Sequence, residues 1–395
     1  MHDPAVIVMK FGGAAVADAA GIRRVVALVQ AGRSAGPVVV VVSALAGATD
    51  ALLAAAADAA AGAGDHAIAA LMARHREVAH GLGLSPAIVA DAFTGLVDLA
   101  RGLRLVGSVA PRLRDEFVAH GERASARLVA AALRAAGTPA QALDAGNAGV
   151  VTDDRFGAAS PRADAARMRA AVAAAEGVPV VEGFVGRDAR GFVTTLGRNG
   201  SDVTAALFAQ ALGAIELQVW KDVAGVCAAD PRVVPQAQRL AAMTPACALA
   251  LAACGSRIVH PDALALAAAA GVPVVVRGIA TPDDPGTRIA ADAPAPVGVQ
   301  SIGHGEPGDP AAPADGFAAL RATAAARGGG LVGLVGAPAF LAAHGVAAAA
   351  RALAEGGVSV LAADALPGGE AAAFAVPADR VRRAVALLHQ RFFAA

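Results

Sequence analysis

Tyrosine is absent from the 395 residues, lysine and asparagine occur twice each, tryptophan once and cysteine three times. Cys227, Cys247 and Cys254 form no CxxC pair, so neither a disulfide scaffold nor a zinc site is indicated. An excess of charge is missing too: 33 basic residues balance 33 acidic ones. A nucleic-acid binder normally carries a basic stripe, so no nucleic-acid partner is expected. No basic segment precedes the short apolar run at 5–9, and no secretory leader is expected. Mean hydropathy is high, at +0.55. Yet the longest uncharged run, 328–350, is interrupted by glycines, Pro338 and His344, and reads as a strand, a turn and a helix start rather than a membrane span. What remains is a cytoplasmic α/β protein, long enough for two or three domains and a large core.

The two lysines are Lys10 and Lys221; every other basic side chain is arginine, and alanine fills most neutral helix positions. Such bias suggests a GC-rich coding background in which arginine replaces lysine wherever it serves. A lysine retained there points to a place where a compact ammonium works and a planar fork does not.

Read along the chain, an apolar strand at 5–10 ends in Lys10-Phe11-Gly12-Gly13, and a helix follows at 19–30. A second strand, 37–42, ends in Ser43-Ala44 and a glycine-containing loop closed by Thr49-Asp50. Helical spacing then persists to about 136, interrupted by Gly121-Glu122-Arg123. A helix at 162–175, a strand at 178–181 and a hairpin-like segment lead to Gly197-Arg198-Asn199-Gly200-Ser201-Asp202. A helix at 203–212 and a strand at 216–219 come next, the latter followed at once by Lys221-Asp222. Short helices at 244–254 and 261–270 and a strand at 272–276 complete a domain, 1–290. Residues 291–330 read as a linker or a truncated unit, and 331–395 as a small α+β domain of βαββα pattern. His66, His75 and His120 lie in helical stretches without partner spacing and are expected at the surface. Alternating strands and helices predict a mostly parallel sheet covered on both faces, whose ligands bind beyond the carboxyl ends of the strands. Lys10, Ser43, the glycine loop at 197–202 and Lys221-Asp222 all fall at that edge.

Two glycines after a strand let the backbone approach an anion, and Lys10 supplies a point charge for phosphate oxygens. No GxxxxGK[ST] occurs, which excludes an ordinary P-loop. In the second glycine loop Ser201 or Asp202 could simply cap the helix, but capping leaves Arg198 and its flanking glycines unexplained; an anion or carboxylate site accounts for them. Asp222 could hold Mg²⁺ through water or orient Lys10, and Asp230-Pro231-Arg232 offers another cation.

The order KFGG, VVSA, GER, TTLGRNGSD, WKDVAGV, ADPR and HP resembles the aspartokinases of the amino-acid kinase superfamily over residues 5–290. The asparagine in GRNGSD is most similar to the kinase half of aspartokinase–homoserine dehydrogenases, without the dehydrogenase half. The tail from Leu331 resembles an aspartokinase ACT unit. The resemblance implies a three-layer α/β kinase domain with a small ACT-like domain after it, in a homodimer or larger assembly. It implies transfer of the ATP γ-phosphoryl group to the side-chain carboxylate of L-aspartate, the Mg²⁺ being carried by ATP and not by a protein metal site. Lys10, Gly12 and Gly13 would neutralise the transferring group and Asp202 would orient Lys10. Arg198 would hold the substrate α-carboxylate and Glu122 its ammonium, while Ser43, Thr49 and Ser201 line the pocket. Lys221, Asp222, Cys227, Arg232 and Arg257 map to the nucleotide side. An amino-acid effector could bind the ACT-like domain.

This chain departs from the family pattern in several places. Ala14-Ala15 replace the usual Thr-Ser after KFGG, Thr244-Pro245-Ala246-Cys247-Ala248 replace Ser-Tyr-x-Glu-Ala, and His260-Pro261-Asp262-Ala263 replace His-Pro-Arg-Thr. Cys227 stands where an aromatic residue often lies near adenine, and too few residues precede 331 for two ACT units. A slow enzyme, a different amino-acid or acyl acceptor, or a catalytically silent amino-acid-binding homologue therefore stand as alternatives, and weakened feedback inhibition is expected.

Overall fold

The computed structural model describes residues 5–256, 258–305 and 317–393. They fall into two compact units. One runs to Asp222 and takes in Gly278–Pro282; the other comprises Val223–Arg277 and the chain from Asp283 onward. The boundary lies inside the stretch 1–290 that the sequence reading takes as one domain.

In the first unit, β1 (Ile7–Phe11), α1 (Ala19–Arg33) and β2 (Val38–Val42) open the chain. A helical stretch follows: α2 (Ala48–Ala60), α3 (Asp65–Gly81), α4 (Ala87–Ala92), α5 (Leu96–Val106) and the long α6 (Pro111–Ala135). Then come β3 (Ala140–Leu143), β4 (Val150–Thr152), β5 (Pro161–Ala163), α7 (Ala165–Ala174), β6 (Val178–Glu182), β7 (Val185–Arg187), β8 (Val193–Thr195), α8 (Gly200–Leu212) and β9 (Glu216–Lys221). Five strands form a wholly parallel array in the order β9-β1-β2-β6-β3. These strands read as near-continuous valine and isoleucine because both faces are covered. Ile7, Met9 and Phe11 of β1 pack into one core with Val38, Val40 and Val42, with Ile22 and Val25 of α1, and with Leu128 and Val129 of α6. The intervening residues of β1 face the other way, where α8 crosses β1, β2 and β9 and is itself covered by α7. A small second sheet, β5-β4-β7-β8, hangs beside this three-layer body. Asp115 of α6 ties it down by accepting 2.8 Å hydrogen bonds from the Gly157 and Thr195 amides.

His75 and His120 are not at the surface: both are buried, with Phe93 packed between their rings. Their Nδ1 atoms bond to carbonyls of the preceding turn, Leu71 at 2.8 Å and Glu116 at 3.0 Å. That partner within the helix, together with burial that pushes both imidazoles below their ordinary pKa, lets a neutral ring serve as core.

In the second unit, β10 (Ala242–Met243), α9 (Pro245–Ala253), α10 (Pro261–Ala269), β11 (Val274–Gly278) and β12 (Thr287–Ile289) precede the C-terminal elements. These are β13 (Val299–Gly305), α11 (Ala318–Ala326) and β14 (Gly329–Gly336), then α12 (Pro338–Phe340), which continues through a π turn into α13 (Val346–Glu355), and finally β15 (Ala362–Ala365), β16 (Ala371–Pro377) and α14 (Val381–Phe393). The last four strands form an antiparallel sheet in the order β13-β14-β16-β15. Val332, Leu334 and Phe374 on one face pack against Leu353 of α13 and Val385 and Leu388 of α14; α9 and α11 cover the other face.

Two expectations change here. The stretch 291–330 is more than a linker, since it contains β13 and α11. The sequence hides them because Val-Gln-Ser-Ile-Gly-His-Gly has little apolar alternation and α11 is largely alanine. A strand expected at 358–363 begins only at Ala362, and the buried Val358 before it belongs to the core. Among the described residues no helix is long and apolar enough to cross a membrane.

Candidate active site

The only two lysines of the chain meet on one carboxylate. Lys10 stands on β1 in register with Val41 and Val219 and, one residue out of phase with Met9 and Phe11, points to the α8 face. Lys221, the last residue of β9, shares that parity. Between them α8 begins, and its first turn brings Asp202 to the ends of the strands. Lys10 Nζ lies 2.5 Å from Asp202 Oδ1, and Lys221 Nζ lies 3.5 Å from Oδ2. Asp202 is completely buried and Lys10 nearly so. Burial pushes the Lys10 ammonium below the usual lysine range, Asp202 pulls it back and the Lys221 charge adds to the depression. Two cations thus share one anion, and the surplus positive charge is available to an incoming phosphate. A Cβ on Gly12 would sit 3.7 Å from Lys10 Nζ, so the backbone of the first glycine runs beside that ammonium. Gly13 is fixed to the neighbouring loop by a 3.2 Å bond from the Ala46 amide to its carbonyl.

The second glycine loop does not work as a simple cap. Asn199 takes a left-handed conformation, φ 58°, and starts α8 without a side-chain cap. Ser201 and Asp202 are thereby free of capping duty and turn to the strand ends. Ser201 Oγ lies 2.7 Å from Ser43 Oγ at the end of β2. A Cβ on Gly183 would come within 2.5 Å of the Ser201 Cβ, so this close approach of β6 to α8 requires glycine.

On the opposite face of the sheet, Glu122 of α6 is buried and its Oε1 accepts the Ala44 amide at 3.1 Å. Burial raises its pKa to about 8, against the hydrogen bond from Ala44 and with help from the Glu182 charge. Thr49 stands half-buried in the first turn of α2. Arg198 and Asp222 are exposed, and among the described residues no hydrogen bond or ion pair joins either to the lysine pair. Cys227 and Arg232 belong to the second unit. There the Cys227 carbonyl accepts a 2.8 Å bond from Ser301 Oγ, and burial pushes its thiol up. Arg232 grips Asp230 at 2.8 and 3.1 Å, and His304 Nε2 lies 3.2 Å from the same carboxyl. Despite partial burial, Arg232 holds the Asp230 pKa at about 2. Arg257 lies outside the described residues.

Two residues escape the sequence reading. Glu182 closes an apolar strand, where a charged residue reads as a mere strand end, and is buried. Thr204 donates to the Gly200 carbonyl at 3.2 Å and accepts the amide of Phe184, itself held at φ 70°, at 3.1 Å. Gly-x-x-x-Thr spacing on a helix is the faint signal that could have marked it.

The sequence profile of the amino acid kinase family matches residues 5–278. The chain belongs to that family. Aspartokinase 3, chloroplastic, of Arabidopsis thaliana is 36% identical over 301 residues, which cover 71% of this chain and 52% of the relative. Lysine-sensitive aspartokinase 3 of Escherichia coli is 35% identical over 292 residues, covering 72% and 64%. Among solved structures, E. coli aspartokinase III in complex with aspartate and ADP superposes with a TM-score of 0.81 at 26% identity, over 98% of this chain and all of that one. The chain therefore spans about half to two thirds of the length of these curated relatives.

The buried glutamates give a pH signature. Ordinary glutamate releases its proton at 4.5 in the unfolded chain, whereas folded Glu122 keeps it to about 8. Stability from this group is present below 4.5 and is lost as pH rises to about 8, with a slope of about 1.4 kcal/mol per pH unit. Urea denaturation of native protein and Glu122→Gln at intervals from pH 5 to pH 8 is expected to show a shallower decline in the variant. Identical slopes would mean Glu122 is ionised in the folded chain.

Proposed function

We propose that this chain phosphorylates the side-chain carboxylate of L-aspartate with ATP, giving 4-phospho-L-aspartate and ADP. The observation that carries the reading is the convergence of Lys10 and Lys221 on Asp202. In its favour too are the family membership and the similarity to a protein solved with aspartate and ADP.

The acceptor carboxylate, with a pKa near 4, is ionised at neutral pH, so no general base is needed. The difficulty is bringing one anion onto another. Lys10, with Gly12 and Gly13 beside it, receives the γ-phosphoryl oxygens and Asp202 fixes its position. Lys221 adds charge on the same side. The carboxylate oxygen attacks phosphorus, and the bond to the β-phosphate oxygen breaks with its electron pair leaving on ADP. Ser43, Thr49 and Ser201 line the acceptor pocket, Glu122 receives the α-ammonium and Arg198 the α-carboxylate. Asp222, Cys227, Arg232 and Arg257 serve the nucleotide. Mg²⁺ comes with the triphosphate and screens its charge; Asp202, whose two oxygens face lysines, is already occupied.

The C-terminal sheet with its helices is read as an ACT-like module and the chain as a cytoplasmic homo-oligomer. The described residues from Val299 onward hold one four-stranded sheet, which supports a single such module. Lysine or threonine is accordingly expected to inhibit poorly; half-inhibition at sub-millimolar effector would contradict this.

A hydroxamate trap with purified protein, ATP and Mg²⁺ tests the activity. Aspartate-dependent acyl hydroxamate is expected, with Lys10→Ala lowering kcat by roughly a hundredfold or more while circular dichroism stays unchanged. Product only with another acid would change the acceptor; ATP binding without turnover on any acid would make the chain a silent homologue.

A further inference from the structure

Glu122 and Glu182 approach each other from different elements. Alternation along β6 places Glu182 on the face of Val178 and Val180, which pack against α6, the helix that carries Glu122. Glu182 is in register with Val42, next to Ser43, and the following residue, Gly183, packs on Ser201. Glu182 is therefore rooted in the same strand ends that frame the proposed acceptor pocket. Both carboxyls are more than nine-tenths buried, and each has one oxygen, Oε2, with no hydrogen-bond partner. Two buried acceptors left open, close enough for the charge of Glu182 to act on Glu122, need something that donates.

Resting on the aspartate-phosphorylating reading above, we propose that Glu182 is the second carboxyl of the substrate-ammonium pocket, and that the pair holds a proton when empty which the ammonium displaces. The balance is simple. A carboxylic O–H breaks, the proton goes to water, and an N–H of the entering ammonium takes over the vacated oxygen; nothing is oxidised or reduced. Burial pushes each group up to about 8, so at neutral pH the empty pair keeps its protons, and the ammonium displaces the one on the oxygen it meets while the other carboxyl stays protonated. The groups facing Glu182 are Asp144, which raises it further, and Arg123, Arg127 and Arg187, which oppose. Arg187 is committed to Asp144 at 2.7 Å, and Arg123 lies 3.6 Å from Glu116. Facing Glu122 is the Ala44 amide, bonded to the oxygen that is not open. Because the ammonium needs the ionised form, aspartate binding strengthens as pH rises towards about 8 and releases protons below it. A dicarboxylic acid of the same length without the amine brings no donor. Glu182 is thus a specificity-determining residue of the ammonium pocket.

Calorimetric titration of aspartate into the full chain at pH 7, in phosphate and in Tris, counts the protons released. About one per aspartate is expected, and a release below half in Glu182→Gln, with the pH inflection in the aspartate KM moved to lower pH. Binding with no proton release, or identical release and profile in the variant, overturns the proposal. So does comparable release on adding KCl alone, which would make the pair an alkali-cation site. Should Glu182→Gln fail to fold by circular dichroism, the native release and its loss above about pH 8 decide alone. No binding of aspartate at all would instead sink the aspartate reading.

Discussion

The Asp202 carboxylate is the interaction on which the site depends. Alone, two ammonium groups at adjacent strand ends would repel, and burying Lys10 would drive off its proton. Asp202 between them holds the two side chains close together, and its charge opposes the effect of burial on Lys10. Replacing either lysine with arginine would put a broad planar fork where a strand end, a helix terminus and a glycine backbone leave room for a point charge. That constraint accounts for the survival of lysine at two positions in a chain that otherwise uses arginine.

The parallel sheet makes this geometry available and then divides it. Alternation sends Lys10 and Lys221 to the α8 face and Glu182 to the α6 face, where α6 itself supplies Glu122, at the same carboxyl edge. A zwitterionic acceptor placed across that edge would meet carboxyls at its ammonium and cations at the phosphoryl group approaching its other end. On the proposed reading, selection of an amino acid and stabilisation of phosphoryl transfer would draw on the two faces of one sheet, set by the period of two along β1, β6 and β9. Hydrogen bonds hold the loops together: the Ser43 and Ser201 hydroxyls pair, the Ala46 amide donates to the Gly13 carbonyl and the Ala44 amide to the Glu122 carboxyl.

How much of this was legible in the sequence follows from how local each feature is. The lysines, the glycine pairs and Asp202 lie in short strand-to-helix motifs whose chemistry is written in adjacent residues, and the strands carrying them are unbroken apolar runs. Glu182 was not legible, because its meaning comes from α6, some sixty residues earlier in the chain. His75 and His120 read as surface groups because a bond to the preceding turn, which makes their burial tolerable, leaves no mark in residue spacing. β13 and α11 were missed because their pairing partners, not their composition, define them. Capping was a reasonable sequence reading for Ser201, and only the left-handed Asn199 shows why its hydroxyl is turned elsewhere.

Having two lysines makes the central claim directly observable. Protein labelled with ¹³C at the lysine side chains gives two Cε signals, assignable by mutating one. If Asp202 joins both ammonium groups into one phosphate-receiving cluster, Asp202→Asn moves both signals, saturating ATP with Mg²⁺ moves both together, and Lys10 titrates below the ordinary lysine range. Signals that respond independently, or a nucleotide that shifts neither, would contradict the account.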